Sequence, residues 1–162
     1  MRRSTKLLAL VVCLAAAAVF AMGALAGGNS ATAKLCQKGG WQTAQSGVGG
    51  SFLSEDDCVA YGAQSGMVFR PSLVASPVTV VEDQGIDLNG SGFHPSTPIE
   101  VSIVVAGGGS IVMPGVTNAS GGVVFTSVFT KGACANGITG AEYTVTDSFG
   151  LHASATVELA CP

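Results

Sequence analysis

Few residues in this chain are equipped for chemistry. Five cysteines stand at Cys13, Cys36, Cys58, Cys134 and Cys161, and the histidines are His94 and His152. A thiol nucleophile needs an unpaired cysteine beside a base. Cys13 falls in an N-terminal apolar run that export removes, and the other four are even in number and can all pair. The sequence has no Gly-x-Ser-x-Gly, His-Glu-x-x-His, phosphate-loop or Cys-x-x-Cys pattern. The elbow serine, the zinc helix, the phosphate cradle and the dithiol redox pair are therefore not encoded. Glu55, Asp56 and Asp57 have the composition of cation ligands, but no histidine or further acid lies near them. With Ser54 in front, they read as the capped first turn of a helix, negative charge on the positive end of its dipole. The expectation is a chain that is not an enzyme and holds no metal and no cofactor.

The first 33 residues explain the loss of Cys13. Arg2, Arg3 and Lys6 precede an apolar run from Leu7 to about Ala26, and two small-residue cleavage sites follow, Ala24-Leu25-Ala26 and Ala31-Thr32-Ala33. This is the layout of a secretory signal. The alternative is a membrane-tethered surface domain held by the same segment uncleaved, since about 20 apolar residues can span a bilayer. After cleavage Lys34, Lys38, Arg70 and Lys131 face all ten acids. That acidity argues against nucleic acid and anionic lipid as partners and for a soluble, secreted protein. Four cysteines in such a chain imply two disulfides, with three connectivities open, in an oxidising compartment.

The elements that must position these residues divide at about residue 70. Residues 34–69 are rich in Gly, Ser and Gln, with the helix from Ser54 as the one regular signal. Lys38-Gly39-Gly40-Trp41-Gln42 reads as a turn entering a short strand, with Trp41 the one large ring available to so small a unit. From residue 70 to 162 apolar and polar residues alternate. Ile99, Val101, Ile103 and Val105 are interleaved with Glu100 and Ser102, and Ala153, Ala155, Val157 and Leu159 with His152, Ser154, Thr156 and Glu158. Period two with one wet face is the pattern of antiparallel sheets. Turn signals fall at Asn89-Gly90, His94-Pro95-Ser96, Gly107-Gly108-Gly109, Ser120-Gly121-Gly122 and Asp147-Ser148-Phe149-Gly150. The strands expected are 74–81, 84–89, 98–105, 110–116, 123–130, 141–147 and 151–159. That number in that length predicts an all-β, immunoglobulin-like antiparallel sandwich preceded by a small disulfide-bridged segment with one short helix. Asn89-Gly90-Ser91 and Asn118-Ala119-Ser120 match the glycosylation pattern and read as turns.

Two resemblances sharpen this picture. Cys36-Gln37-Lys38-Gly39-Gly40-Trp41-Gln42, followed by Asp57-Cys58-Val59-Ala60-Tyr61 and Gly66, resembles a short segment of exported bacterial proteins. That segment has a Cys-x-x-Gly-Gly-Trp start and a Cys-Val-x-Tyr helix. The likeness implies export and a local Cys36–Cys58 bridge. Gly90-Ser91-Gly92-Phe93-x-Pro95, Thr117-Asn118-Ala119-Ser120-Gly121 and Tyr143-x-Val145-x-Asp147-x-x-Gly150 resemble bacterial Ig-like domains of the IPT/TIG type. Tyr143 then takes the place of a tyrosine corner. Such domains serve adhesion, display and spacing, so the resemblance implies no single function.

Alternating strand direction puts Cys134 and Cys161 at one end of the sandwich and the residues before the first strand at the other. This predicts the bridges Cys36–Cys58 and Cys134–Cys161. The same alternation gathers His94, Asp147 and His152 at one end. There a metal or acid–base pair is the chemical reading, and a turn histidine plus a solvent-facing one is the ordinary reading. Phe93 and Phe149 lie on turns at that end, and the cystine segment enters from it, so Trp41, Phe93 and Phe149 are the candidate binding residues; the alternative is that the two phenylalanines plug the core. The expected function is a secreted, non-catalytic binding or spacer module for an extracellular or cell-surface ligand.

Overall fold

The computed structural model describes residues 31–162. Of the expected signal segment (1–33), only Ala31–Ala33 fall among the described residues; Cys13 and the cleavage site at Ala26 lie outside them. The protein is mostly β, with two disulfides, Cys36–Cys58 (S–S 2.04 Å) and Cys134–Cys161 (2.14 Å). Two bridges mark an oxidising setting. Among the described residues no helix is long and apolar enough to cross a membrane.

The N-terminal unit holds helix α1 (Ala31–Lys34), a 3-10 turn at Gly40–Gln42, β1 (Gln45–Ser46), α2 (Glu55–Ala63) and β2 (Val68–Phe69). α2 begins where its acids require: Ser54 caps it, its hydroxyl accepting from the Asp57 N–H at 3.1 Å. Cys36, Ala44, Cys58 and Val68 form a small buried core, and Trp41, Phe52 and Val59 pack half-buried against it. Trp41 sits in the 3-10 turn, so the indole serves this core. Ala33 is 3% exposed, which makes the last residue of the expected signal part of the unit's interior.

The second unit runs through β3 (Ser72–Ser76), β4 (Thr79–Val80), β5 (Gly85–Ser91), β6 (Pro98–Ala106), β7 (Ser110–Val116), β8 (Val123–Val128), a 3-10 turn at Cys134–Asn136, β9 (Gly140–Asp147) and β10 (His152–Leu159). These form a five-stranded sheet in the order β4-β10-β9-β6-β7 and a three-stranded sheet in the order β3-β5-β8. The inward residues of both sheets share one apolar cluster. It includes Leu73, Ile86 and Leu88 from the narrow sheet and Ile99, Val101, Tyr143, Val145 and Val157 from the wide one.

Four expectations are corrected. The single strand 74–81 is two strands in different sheets, divided at Ser76–Pro77, because Pro77 has no N–H to continue a ladder. Its second half, β4, pairs parallel with β10 (Thr79↔Glu158, Val80↔Leu159), so the sheet is not wholly antiparallel. Asn89-Gly90 is not a turn but lies within β5, opposite Val74 and Leu73. A side chain at Gly90 would collide with Val123, so the glycine permits close packing there. Tyr143 is buried, yet its hydroxyl donates to Ser127 Oγ at 3.0 Å rather than to backbone, so it is not a tyrosine corner.

Candidate functional site

The N-terminal unit docks on the end of the β unit where β9 turns into β10. There β10 has no partner on one side, since β4 reaches only Glu158 and Leu159. Gln45 takes that place. Its Nε2 donates to the His152 carbonyl at 2.7 Å and its Oε1 accepts the His152 N–H at 3.0 Å, so a side chain imitates a neighbouring strand. Gly49 settles on the β9–β10 turn so closely that any Cβ would strike the Gly150 backbone. Both glycines have positive φ, +78° and +95°, a region that L side chains rarely adopt.

Asp147 begins that turn and organises it. Its Oδ1 accepts the N–H groups of Phe149 (2.9 Å) and Leu151 (3.0 Å), and its Oδ2 accepts His94 Nδ1 (2.7 Å) and the His94 N–H (3.3 Å). Burial pushes the Asp147 carboxyl up, but the His94 imidazole and the three backbone N–H groups outweigh it and hold it below the usual carboxylate range. His94 is itself buried, and its ring contacts those of Phe69 and Phe149 at centroid distances of 4.2 and 4.5 Å. Thr117 fixes the loop beneath: its hydroxyl donates to the His94 carbonyl at 2.6 Å and accepts the Thr97 N–H at 2.9 Å.

Every group that meets Asp147 is an N–H, so an ionised Asp147 requires a hydrogen on His94 Nδ1. The other nitrogen is then a lone-pair acceptor whenever the imidazole is neutral. Among the described residues nothing bonds His94 Nε2, and no buried side-chain nitrogen or oxygen lacks a partner. Nε2 is therefore not sealed from solvent.

His94 borders a cleft of about 400 Å³ between the two units, lined also by Gly47, Val48, Tyr61, Ser65, Gly66, Met67 and Phe149. Val48, Met67 and Phe149 are 74%, 60% and 53% exposed. No Asp, Glu, Lys or Arg belongs to the lining. A larger cleft of about 610 Å³ opens at the opposite end, around Cys134–Cys161. Its one acid, Glu82, is taken by the Cys134 N–H at 2.7 Å and is paired in charge with Lys131 of the same lining. The junction cleft is the better site because a polar atom is held in place and left unused there.

Of the three candidate binding residues, only Phe149 lines this cleft. Phe93 is corrected: it is 2% exposed, turned inward to close the end of the core, with its N–H bonded to the Gly121 carbonyl. Trp41 belongs to the cystine core. Of the histidines expected together, His94 joins Asp147, while His152 remains exposed with Nδ1 3.1 Å from the Gly150 carbonyl. Sequence reasoning missed Met67, Val48 and the burial of His94, whose cover comes from the N-terminal unit.

No known protein family matches the chain. No curated protein matches it. Among solved structures it is similar to macromomycin, at 11% identity and a TM-score of 0.42 over 56% of this chain and 99% of that one. It is also similar to the superoxide reductase (neelaredoxin) from Ignicoccus hospitalis, at 18% identity and a TM-score of 0.41 over 56% and 80% of the two chains. Likenesses this distant assign no activity.

Proposed function

We propose that the chain is an exported, non-catalytic binding module. Its β unit is an immunoglobulin-like sandwich of the IPT/TIG type, and the site for an extracellular or cell-surface ligand is the cleft where the cystine unit meets it. Two sheets around one core and the turn motifs Gly90–Pro95, Thr117–Gly121 and Tyr143–Gly150 support the sandwich reading. Export is supported by the signal pattern and the two bridges. The observation that carries the binding reading is Phe149. It is half-exposed on a turn that Asp147, Gln45 and the Gly49 contact hold rigid, and it faces Met67 and Val48. A concave, mostly apolar surface with a few polar side chains, here His94, Ser65 and Tyr61, is the usual form of a small-ligand site.

Amide shifts of the isotope-labelled protein, recorded with a panel of small aromatic and aliphatic fragments at millimolar concentration, test this. Shifts should cluster at Val48, Met67 and Phe149 and vanish in Phe149→Ala. Shifts absent throughout, or unchanged in that variant, refute the site.

A further inference from the structure

We infer that the junction cleft selects an uncharged aromatic group carrying a hydrogen-bond donor, a phenol or an indole, with His94 Nε2 as the acceptor. The inference rests on the cleft being the binding site proposed above.

The walls decide the body of the ligand. Phe149 and Tyr61 offer ring surface, Met67 a thioether that pairs well with aromatic rings, and Val48 a branched aliphatic side chain. At about 400 Å³ the cleft is at the small end of the ~300–1,000 Å³ range of ligand pockets, which suits one ring system. Charge is excluded because no Lys, Arg, Asp or Glu lines the cleft to pair with it. Asp147, the nearest buried charge described, already faces His94 and three backbone N–H groups.

Polarity is decided by the hydrogen on Nδ1. Both Asp147 oxygens accept N–H groups only, so the carboxylate has no proton to give and Nδ1 must donate. A neutral His94, which lines the cleft, therefore keeps its unused lone pair on Nε2. A ring that covers Nε2 without offering a hydrogen leaves a polar atom buried and unpaired, and a phenol O–H or indole N–H satisfies it.

The test compares matched pairs that differ only in the donor, p-cresol against 4-methylanisole and indole against 1-methylindole, titrated into the full chain near neutral pH. Amide shifts at Val48, Met67 and Phe149 and the ¹⁵N shift of His94 Nε2 are followed. The donors should bind about three- to tenfold more tightly, the yield of one hydrogen bond, and should move the Nε2 resonance. Equal binding within each pair at the cleft overturns this inference and leaves the binding module standing. No binding by any of the four, or shifts that persist in Phe149→Ala, overturns both. Asp147→Asn gives a second readout. Its amide presents an N–H to Nδ1 and drives the ring hydrogen to Nε2, so the preference for donors should disappear. A folded Asp147→Asn protein that keeps the preference also overturns the inference. If that variant does not fold, the matched pairs in the unsubstituted chain decide alone.

Discussion

Replacing Asp147 with alanine probes the turn on which the site depends. The side chain is fully buried and accepts from His94 Nδ1 at 2.7 Å and from the backbone of His94, Phe149 and Leu151. Alanine leaves these donors facing an apolar void. Leaving one buried donor unsatisfied costs about 1–3 kcal/mol, so orphaning these four together should cost about 3–5 kcal/mol or more. That is a large share of the ~5–15 kcal/mol that holds a domain folded. With a urea m-value near 2 kcal/mol/M, the unfolding midpoint should fall by about 2 M. Acid supplies a sharper signature. The folded carboxyl is held below its ordinary value, so its stabilisation is complete above the unfolded value of ~3.9 and is lost as pH falls through the depressed folded value. The gap between the parent protein and Asp147→Ala should therefore narrow as pH falls below about 4.5. Urea melts of both proteins from pH 7 to pH 2 measure it. A gap under about 1 kcal/mol at pH 7, below the cost of even one orphaned buried donor, or one that does not narrow in acid, would show that Asp147 does not organise the turn as an ion.

Phe93→Ala should lose about 3–5 kcal/mol as a core cavity forms. Phe149→Ala should lose under about 1 kcal/mol as a surface change; similar losses for both, measured by thermal unfolding, would contradict their opposite burial. Cys134→Ser should cost about 2–5 kcal/mol, and non-reducing peptide mapping should join Cys134 to Cys161 and Cys36 to Cys58. Gln45→Ala removes both bonds to the His152 backbone and should speed hydrogen exchange at the His152 amide while leaving amides in the middle of β6 unchanged. Intact mass of the exported protein should show cleavage after Ala26 rather than Ala33, because Ala33 is part of the folded interior.

Strand positions were legible wherever one face is wet. Ile99, Val101 and Ile103 point inward, while Glu100 points out, as period two requires. β7 shows the limit. Ile111, Val112 and Met113 are all exposed, although the stretch reads as a half-buried strand. The wide sheet has five strands and the narrow one three, so β7 overhangs its cover, and no local pattern encodes a difference in sheet width. At the site, topology placed His94 and Asp147 at one end. Their contact forms within the β unit, but His94 is covered by Phe69, which comes from another unit. Phe93 and Phe149 illustrate the same point. Both are aromatic residues on turns, yet one plugs the core and the other faces solvent, because only three-dimensional packing distinguishes the two ends of a turn.

The Cys134–Cys161 bridge also governs how the protein would bear a load. Tension applied beyond Cys161 passes through the sulfur atoms directly to Cys134, so β9 and β10 lie off the covalent line of force. Those strands can be disordered by a pull but never drawn out. The bridge locks away 27 residues of contour, about 90 Å at the extension limit of a polypeptide. Stretched between two surfaces, the oxidised protein would be a short tether of fixed maximum reach, and reduction of this bridge would release those 27 residues in one step.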